Sequence, residues 1–444
     1  MLEENKQANK PNPINVAIVG GGIAGASIAL YLSELGINVT LLEKGPSLVN
    51  GPPICHLHAG GNLYREISEQ QCLTLLGQSI DLLRLYPFAA DCRPTVLAVP
   101  QHDHGTPEQL LPRLHKLQLE YQRLIDQDPA NKVLGDSQDY FRLFDRAQLE
   151  ALALQEPSAH PQTLEQWMIP VAKNVDLDKL KFPLIMVQEY GLNLFRLAAS
   201  CTLSLQENAH CQLLTNTTVT NISAAETNQS WVIDYQQGEV NKQGEFDYLI
   251  NAAGFRSGLI DDMLGFKRHR LVEFKAAYVA QWAECDSLWP EVIFYGERGT
   301  PNGMAQFTPY PGGYFQLHGM TEDITLFKQG LVASNELSAQ PELAEKFINK
   351  IDHQWTENEV VERTQRSINH LTPYIPGFKS AQIGAKPLFG AQQIPGDEPS
   401  LRAATVSFVG ARYARCETVK ASSVLTSADE IVQQMIEHNL LDMA

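Results

Sequence analysis

Hydrophobic and polar positions change period abruptly along this chain. Val16–Val19 is a short, wholly apolar run, the pattern of a strand buried on both faces. It gives way to Gly20, Gly21 and Gly22, then to helical spacing through Ala26–Leu35 that stops at Gly36. Asn38–Leu42 reads as a second strand and ends in Glu43. Helical spacing returns in Ile67–Tyr86 (closed by Pro87), Pro107–Asp126, Arg146–Leu154, Tyr190–Leu205, Leu343–His353 and Val424–His438. Alternating or short apolar runs predict strands at Thr95–Val99, Gln212–Leu214, Val219–Ile222, Trp231–Tyr235, Tyr248–Ile250 and Phe274–Trp282. Further strands are predicted at Gly303–Thr308, Gly313–His318 and Val406–Gly410. Alternation in Gly313–His318 puts Tyr314, Gln316 and His318 on one face. The first dozen residues, with Pro11 and Pro13, read as a frayed tail.

The opening strand, turn and helix carry the chemistry. Gly20, Gly22 and Gly25 form G-x-G-x-x-G, with Ile23 and Ala24 between them and Ala29 one helical turn on. Gly20 makes the strand-to-helix turn, Gly22 lets a pyrophosphate approach the backbone, and Gly25 lets the helix sit close on the sheet. The helix that follows directs its N-terminal N–H groups at the phosphates. Alone the motif is weak. Its placement between a strand and a helix, with Glu43 ending the next strand where it can accept from ribose hydroxyls, predicts a dinucleotide site.

Bulk properties narrow the rest. A chain of 444 residues suggests two domains, and 44% apolar with 19% charged residues is the balance of a soluble globular protein. The formal charge of −17 argues against nucleic acid or an anionic membrane as partner. Seven scattered cysteines without a C-x-x-C pair point to free thiols in a reducing, cytoplasmic setting and to no metal site. Ile14–Leu32 is apolar, but its glycines fit the nucleotide turn better than a membrane span. No integral membrane segment is expected, and peripheral attachment through an amphipathic surface stays open.

Two further stretches share this small-residue character. The loop Gly51–Arg65 contains His56, His58, Ala59, Gly60, Gly61, Asn62, Tyr64 and Arg65, its glycines permitting close approach to a flat ligand. Phe246–Phe255 runs from a hydrophobic strand into Asn251-Ala252-Ala253-Gly254. With these in view, the chain resembles flavoproteins of the D-amino-acid-oxidase-like (glutathione-reductase-like) superfamily. Val16–Gly25 with Glu43 and Lys44 resembles that family's FAD fingerprint, and Asn251–Gly254 its second nucleotide-side motif. Gly410 through Arg412, with Lys420, Ala421, Ser422 and Ser423, resembles the C-terminal motif along the flavin ribityl chain. By position, Val219 resembles the residue whose backbone contacts the adenine.

The resemblance implies FAD as cofactor and an α/β fold. A discontinuous Rossmann-like FAD-binding domain (residues 1–90, 186–270 and 381–444) would carry an inserted α+β substrate domain (91–185 and 271–380) built on an antiparallel sheet. The His56–Asn62 loop is similar to the His-Ala-Gly segment of L-2-hydroxyglutarate and malate:quinone oxidoreductases, which passes the flavin ring. A related segment in dimethylglycine-dehydrogenase-like enzymes carries covalent flavin, so His58 is a ring contact, an attachment point or a plain loop residue.

Oxidation of a C–H bond next to oxygen needs that carbon placed over the flavin and one proton taken away. A neutral histidine suits an alcohol, which makes His318 the first candidate base and His58 the second. Arg65, Arg412 and Arg415 are candidate anchors for a carboxylate, against a bland role as surface or phosphate-pairing arginines. Tyr310 and Tyr314 are candidate pocket walls. The leading expectation is oxidation of a small 2-hydroxy acid, with a quinone, another carrier or oxygen as electron acceptor. An oxidase or dehydrogenase of a secondary amine or amino acid is the alternative, and a non-catalytic FAD-fold binding protein the third.

Overall fold

The computed structural model describes residues 14–50, 54–56, 61, 63–226, 229–352 and 355–441. Among them, a six-stranded sheet follows the order Val406–Phe408, Tyr413–Cys416, Tyr248–Asn251, Asn15–Val19, Asn38–Leu42, Cys211–Leu214. All its pairings are parallel except that of the edge strand Val406–Phe408. The apolar run read as a doubly covered strand is one: Val16, Ala17 and Ile18 are wholly buried. The helix Ile23–Glu34 covers it and packs against Leu194–Glu207 and Val424–Glu437. Gly36 closes that helix at φ +80°, and the N–H of Ile37 returns to the carbonyl of Leu32.

The second large sheet has nine strands, in the order Leu331–Ala333, Arg270–Gln281, Tyr314–Gly319, Ala305–Tyr310, Glu291–Phe294, Thr95–Pro100, Leu180–Val187, Phe141–Phe144. The ninth, Gln382–Pro395, lies along Arg270–Gln281. One pair, Thr95–Pro100 with Glu291–Phe294, is parallel and the others are antiparallel. Its outer face buries aromatic rings: Phe307 and Phe315 stack at 4.1 Å between centroids, with Trp282, Trp289 and Phe378 around them. Phe315 and Leu317 therefore point into this core, and Gln316 and His318 point the other way.

Several elements were not legible in the sequence. Gln382–Pro395, which holds Gly384, Pro387 and Gly390 and shows no clean period, falls within the segment 381–444 that the resemblance implies for the FAD-binding domain. In the fold it belongs to the large sheet, held by its neighbour rather than by propensity. Pro387 falls where the register shifts between Ala277 and Val279, a bulge at which its missing N–H costs no ladder bond. The helices Leu164–Asn174 and Glu357–Leu371 and the strands Phe141–Phe144, Leu180–Val187, Val240–Phe246 and Glu291–Phe294 were also missed. The helix expected from Tyr190 begins only at Leu194, because Gly191–Asn193 is a short strand and the Asn193 side chain caps the helix by accepting from the N–H of Arg196.

Candidate active site

The parallel strands of the first sheet end at a cleft that the large sheet closes from the other side. The glycine turn forms its first wall. Gly20 sits at φ +105°, and a Cβ there would meet the Ala252 carbonyl oxygen at 2.5 Å. A Cβ on Gly25 would stand 1.9 Å from the Gly20 carbonyl oxygen, so helix and turn touch backbone to backbone. A Cβ on Gly22 would meet nothing within 4 Å. That opening faces the cleft, which Gly22, Ile23 and Ala24 line. Gly22 caps the helix without a side chain, leaving the first-turn N–H groups to serve an anion. Glu43 ends its strand beside the turn, accepting from the N–H groups of Gly21 and Gly45, both at 2.6 Å. It braces the turn in this way, and each oxygen keeps a second lone pair. Thr217 donates its N–H to the Glu43 carbonyl, which starts the strand of Val219 against the same corner. Val219 and the exposed Lys44 do not form cleft walls.

Ala252 and Gly254 line the cleft beside the turn, while Ala253 packs behind them. Asn251 donates to the Ser257 carbonyl and to the Tyr413 hydroxyl, both at 2.8 Å. Tyr413 and Arg415 bond to Asp261, which also pairs with Arg270 of the large sheet. The third wall is Cys416, Thr418, Val419, Lys420 and Ala421, with Ser422 buried behind it. Gly410 and Arg412, expected in this motif, lie instead before the strand Tyr413–Cys416, at the opposite end of the sheet. There Arg412 donates to the Asp247 carbonyl at 3.0 Å. A parallel strand separates its two ends by its own length, so a glycine that precedes the strand cannot reach a ligand at its carboxyl end.

The cleft has a volume of about 500 Å³, and the large sheet supplies its far wall. Ala276, Ala277 and Leu388–Gln393 form the middle; Gln306, Gln316, His318 and Met320 form one flank. His318 pairs across the ladder with Gln306, and Gln316 with Thr308. The glycines of Pro311–Gly313, at φ +77° and +74°, turn one strand back on the other and so set this register. Tyr310 braces Gln316 by donating to its Oε1 at 2.8 Å, and neither Tyr310 nor Tyr314 reaches the cleft. Gln306 donates to Oε1 of the buried Glu291 at 3.1 Å and to Thr308 at 3.2 Å. Glu291 in turn accepts from Arg93 at 3.0 Å, yet burial lifts its carboxyl to about 7.

The arginines named from sequence are committed elsewhere. Arg65 forms a two-point pair with Asp103 at 2.6 and 3.0 Å and lies over the Tyr295 ring. Arg415 belongs to Asp261. Among the described residues, the cations that line the cleft are Lys275, Arg402 and Lys420, and nothing local in the sequence marks the first two. Of the His-Ala-Gly loop, His58, Ala59, Gly60 and Asn62 lie outside the described residues. Gly61, at φ +67°, packs against Leu97 and Ile293 of the large sheet rather than forming a cleft wall.

This arrangement of a glycine turn, a second small-residue edge and a closing antiparallel sheet is that of a flavin-dependent oxidoreductase. Residues 15–397 match the family model described as FAD dependent oxidoreductase, and the chain belongs to that family. L-proline dehydrogenase from P. horikoshii shares the fold with a TM-score of 0.57, at 14% identity over 97% of this chain and 94% of that one. L-α-glycerophosphate oxidase from Mycoplasma pneumoniae, with FAD bound, gives 0.58 at 14% identity over 96% and 95%. A 39-residue stretch is 51% identical to the tRNA 5-methylaminomethyl-2-thiouridine biosynthesis bifunctional protein MnmC of Saccharophagus degradans. That match covers 9% of this chain and 6% of that much longer protein. None of these similarities singles out the hydroxyglutarate and malate:quinone branch. The cofactor is FAD, and the open face at Gly22, the bare helix N-terminus and the small residues Ala252, Gly254 and Ala421 fit it. Among the described residues, no helix is long and apolar enough to cross a membrane.

Proposed function

We propose that the protein oxidises the hydroxyl-bearing carbon of a small 2-hydroxy acid to the 2-keto acid, with His318 receiving the hydroxyl proton. The observation that carries this reading is His318 itself, half-buried on the cleft-facing side of the large sheet. FAD supplies the two-electron oxidant when bound, and a quinone, another carrier or oxygen takes the electrons on. The chain's own part is placement and proton transfer. Imidazole has an ordinary pKa near working pH and accepts one proton from the alcohol as the C–H bond breaks. Gln306 and Gln316 flank it with carboxamides that orient a polar substrate, each held by a further bond. Ala276, Ala277 and Leu388 keep the middle of the cleft apolar.

A second reading, oxidation of a secondary amine or amino acid, draws support from the fold shared with L-proline dehydrogenase and the MnmC-like stretch. An amine binds unprotonated and needs no base, so His318 would then be dispensable. The charge of −17 weighs against a tRNA substrate. Anaerobic bleaching of the flavin absorbance by a panel of 2-hydroxy acids and secondary amines separates the two. Bleaching by a hydroxy acid, slowed about 10²–10⁴-fold in His318→Ala, is the expected result. Bleaching by amines alone, at a rate His318→Ala leaves unchanged, would overturn it.

A further inference from the structure

We propose that Glu291 is a positioning residue for His318. It fixes the Gln306 carboxamide so that Oε1 accepts from one ring N–H of His318, which leaves the other ring nitrogen to act as the base. The inference rests on the reading above for the base role of His318, and its test reads the ring without any substrate. Strand pairing sets the residues in line. Ala305–Tyr310 lies between Glu291–Phe294 and Tyr314–Gly319. Gln306 stands opposite His318 on one side, and on the other Val292 stands opposite Phe307, which sets Glu291 beside Thr308. Val292 and Phe307 belong to the aromatic core of the outer face, so Glu291, Gln306 and Thr308 face the other way, with His318. Directly opposed residues carry Cβ atoms about 4.5–5.5 Å apart, within reach of a glutamine and an imidazole.

The carboxylate decides which way the carboxamide turns. Gln306 Nε2 donates to Glu291 Oε1 at 3.1 Å and to Thr308 Oγ1 at 3.2 Å. Glu291 Oε2 accepts from Arg93 at 3.0 Å, and Arg93 Nε pairs with Asp91 at 3.3 Å. An ionised carboxylate only accepts. It therefore holds the NH2 edge of Gln306 on its own side and turns the oxygen edge toward the strand of His318. A flipped carboxamide would set oxygen against carboxylate and give up a charge-assisted bond, which disfavours it about 10- to 100-fold. The flip would also reverse the imidazole: a ring nitrogen facing an NH2 group must accept, and the N–H would then meet the substrate where a lone pair is needed. Glu291, Thr308 and Gln306 are buried, so water does not compete for these bonds. Burial lifts the Glu291 carboxyl to about 7; of the charged groups facing it, Arg93 opposes the rise and Glu189 adds to it. The orienting carboxylate form accordingly holds above neutral pH.

The test reads the His318 tautomer directly. FAD-loaded protein labelled with 15N-histidine is observed by NMR at pH 8.5, where imidazole is neutral, and His318 is assigned as the signals missing from His318→Ala. One tautomer is expected in the wild type. Glu291→Gln puts a group that both donates and accepts beside Gln306 and should give a mixture, as should Gln306→Met, which has no acceptor oxygen. Combining Glu291→Gln with Gln306→Glu returns an acceptor-only group beside the ring and should restore one tautomer, a rescue that a purely structural role does not produce. With a 2-hydroxy acid that bleaches the wild-type flavin, Glu291→Gln should slow reduction at saturation about 10- to 100-fold, with half-saturation within about threefold of wild type. A mixture in the wild type, or a single unchanged tautomer in the folded variants, would overturn the proposal. Where Glu291→Gln does not fold, Gln306→Met decides, since it keeps the Arg93–Glu291 pair. A single tautomer that the variants lose, beside a flavin bleached only by amines at a rate His318→Ala leaves unchanged, would retire the hydroxy-acid reading and leave the positioning role standing.

Discussion

A residue's neighbours in space decide what its charge can do. Arg65, Arg412 and Arg415 had the right chemistry for a carboxylate anchor, yet their partners, Asp103, the Asp247 carbonyl and Asp261, stand far from them in sequence. Lys275 and Arg402 were invisible for the same reason. His318 was legible because alternation along a strand is local: once Phe315 and Leu317 face the core, residue 318 must face away. Glu291 shows a further residue-scale consequence. A glutamate that ionises near 4.5 when unfolded and near 7 when folded makes the native state bind the extra proton between those values. Stability from this group is therefore complete below about 4.5 and falls as pH rises toward 7, by about 3 kcal/mol in all. Urea unfolding of the wild type and Glu291→Gln across pH 5–7 checks this. The substitution should remove that downward slope, and parallel profiles would refute the assignment.

At the scale of elements, the strand-turn-helix unit at the N-terminus is specified twice over, by its apolar run and by its glycines. The two inner glycines do different work. Gly25→Ala drives a Cβ into the Gly20 carbonyl oxygen, so it should lower the melting temperature of the apo-protein by several degrees and yield colourless material. Gly22→Ala meets nothing within 4 Å, and φ −65° suits alanine. Its apo-protein should melt within about 1 kcal/mol of wild type while FAD binds at least tenfold more weakly, because the methyl group occupies space the phosphates need. Thermal melts with flavin-fluorescence titrations distinguish these outcomes. Other elements obey no local rule. Gln382–Pro395 is a strand because Arg270–Gln281 offers fourteen residues a ladder and a bulge for Pro387.

At the scale of the whole molecule, one buried network ties the two large sheets together. Asp261 accepts from Tyr413, Arg415 and Arg270, and Ser257 and Gln393 extend the chain of bonds to the Cys416 carbonyl. Asp261→Ala would leave two buried guanidinium groups without their carboxylate. A loss of about 3–5 kcal/mol is expected, with flavin release and far-UV circular dichroism both shifting to lower denaturant. A variant as stable as wild type would show that the arginines find other partners. What the sequence determined by itself is whatever depends on short range: the nucleotide turn, the small-residue edge at Ala252–Gly254 and the strand that presents His318, while the FAD-dependent class came through the family resemblance that the glycine motifs carry. Tertiary structure alone decided which cations reach the cleft, which end of a strand Gly410 occupies and which sheet takes Gln382–Pro395. Those outcomes depend on pairing between distant segments, where burial and charge neutralisation outweigh local preference, and no period in the chain records them.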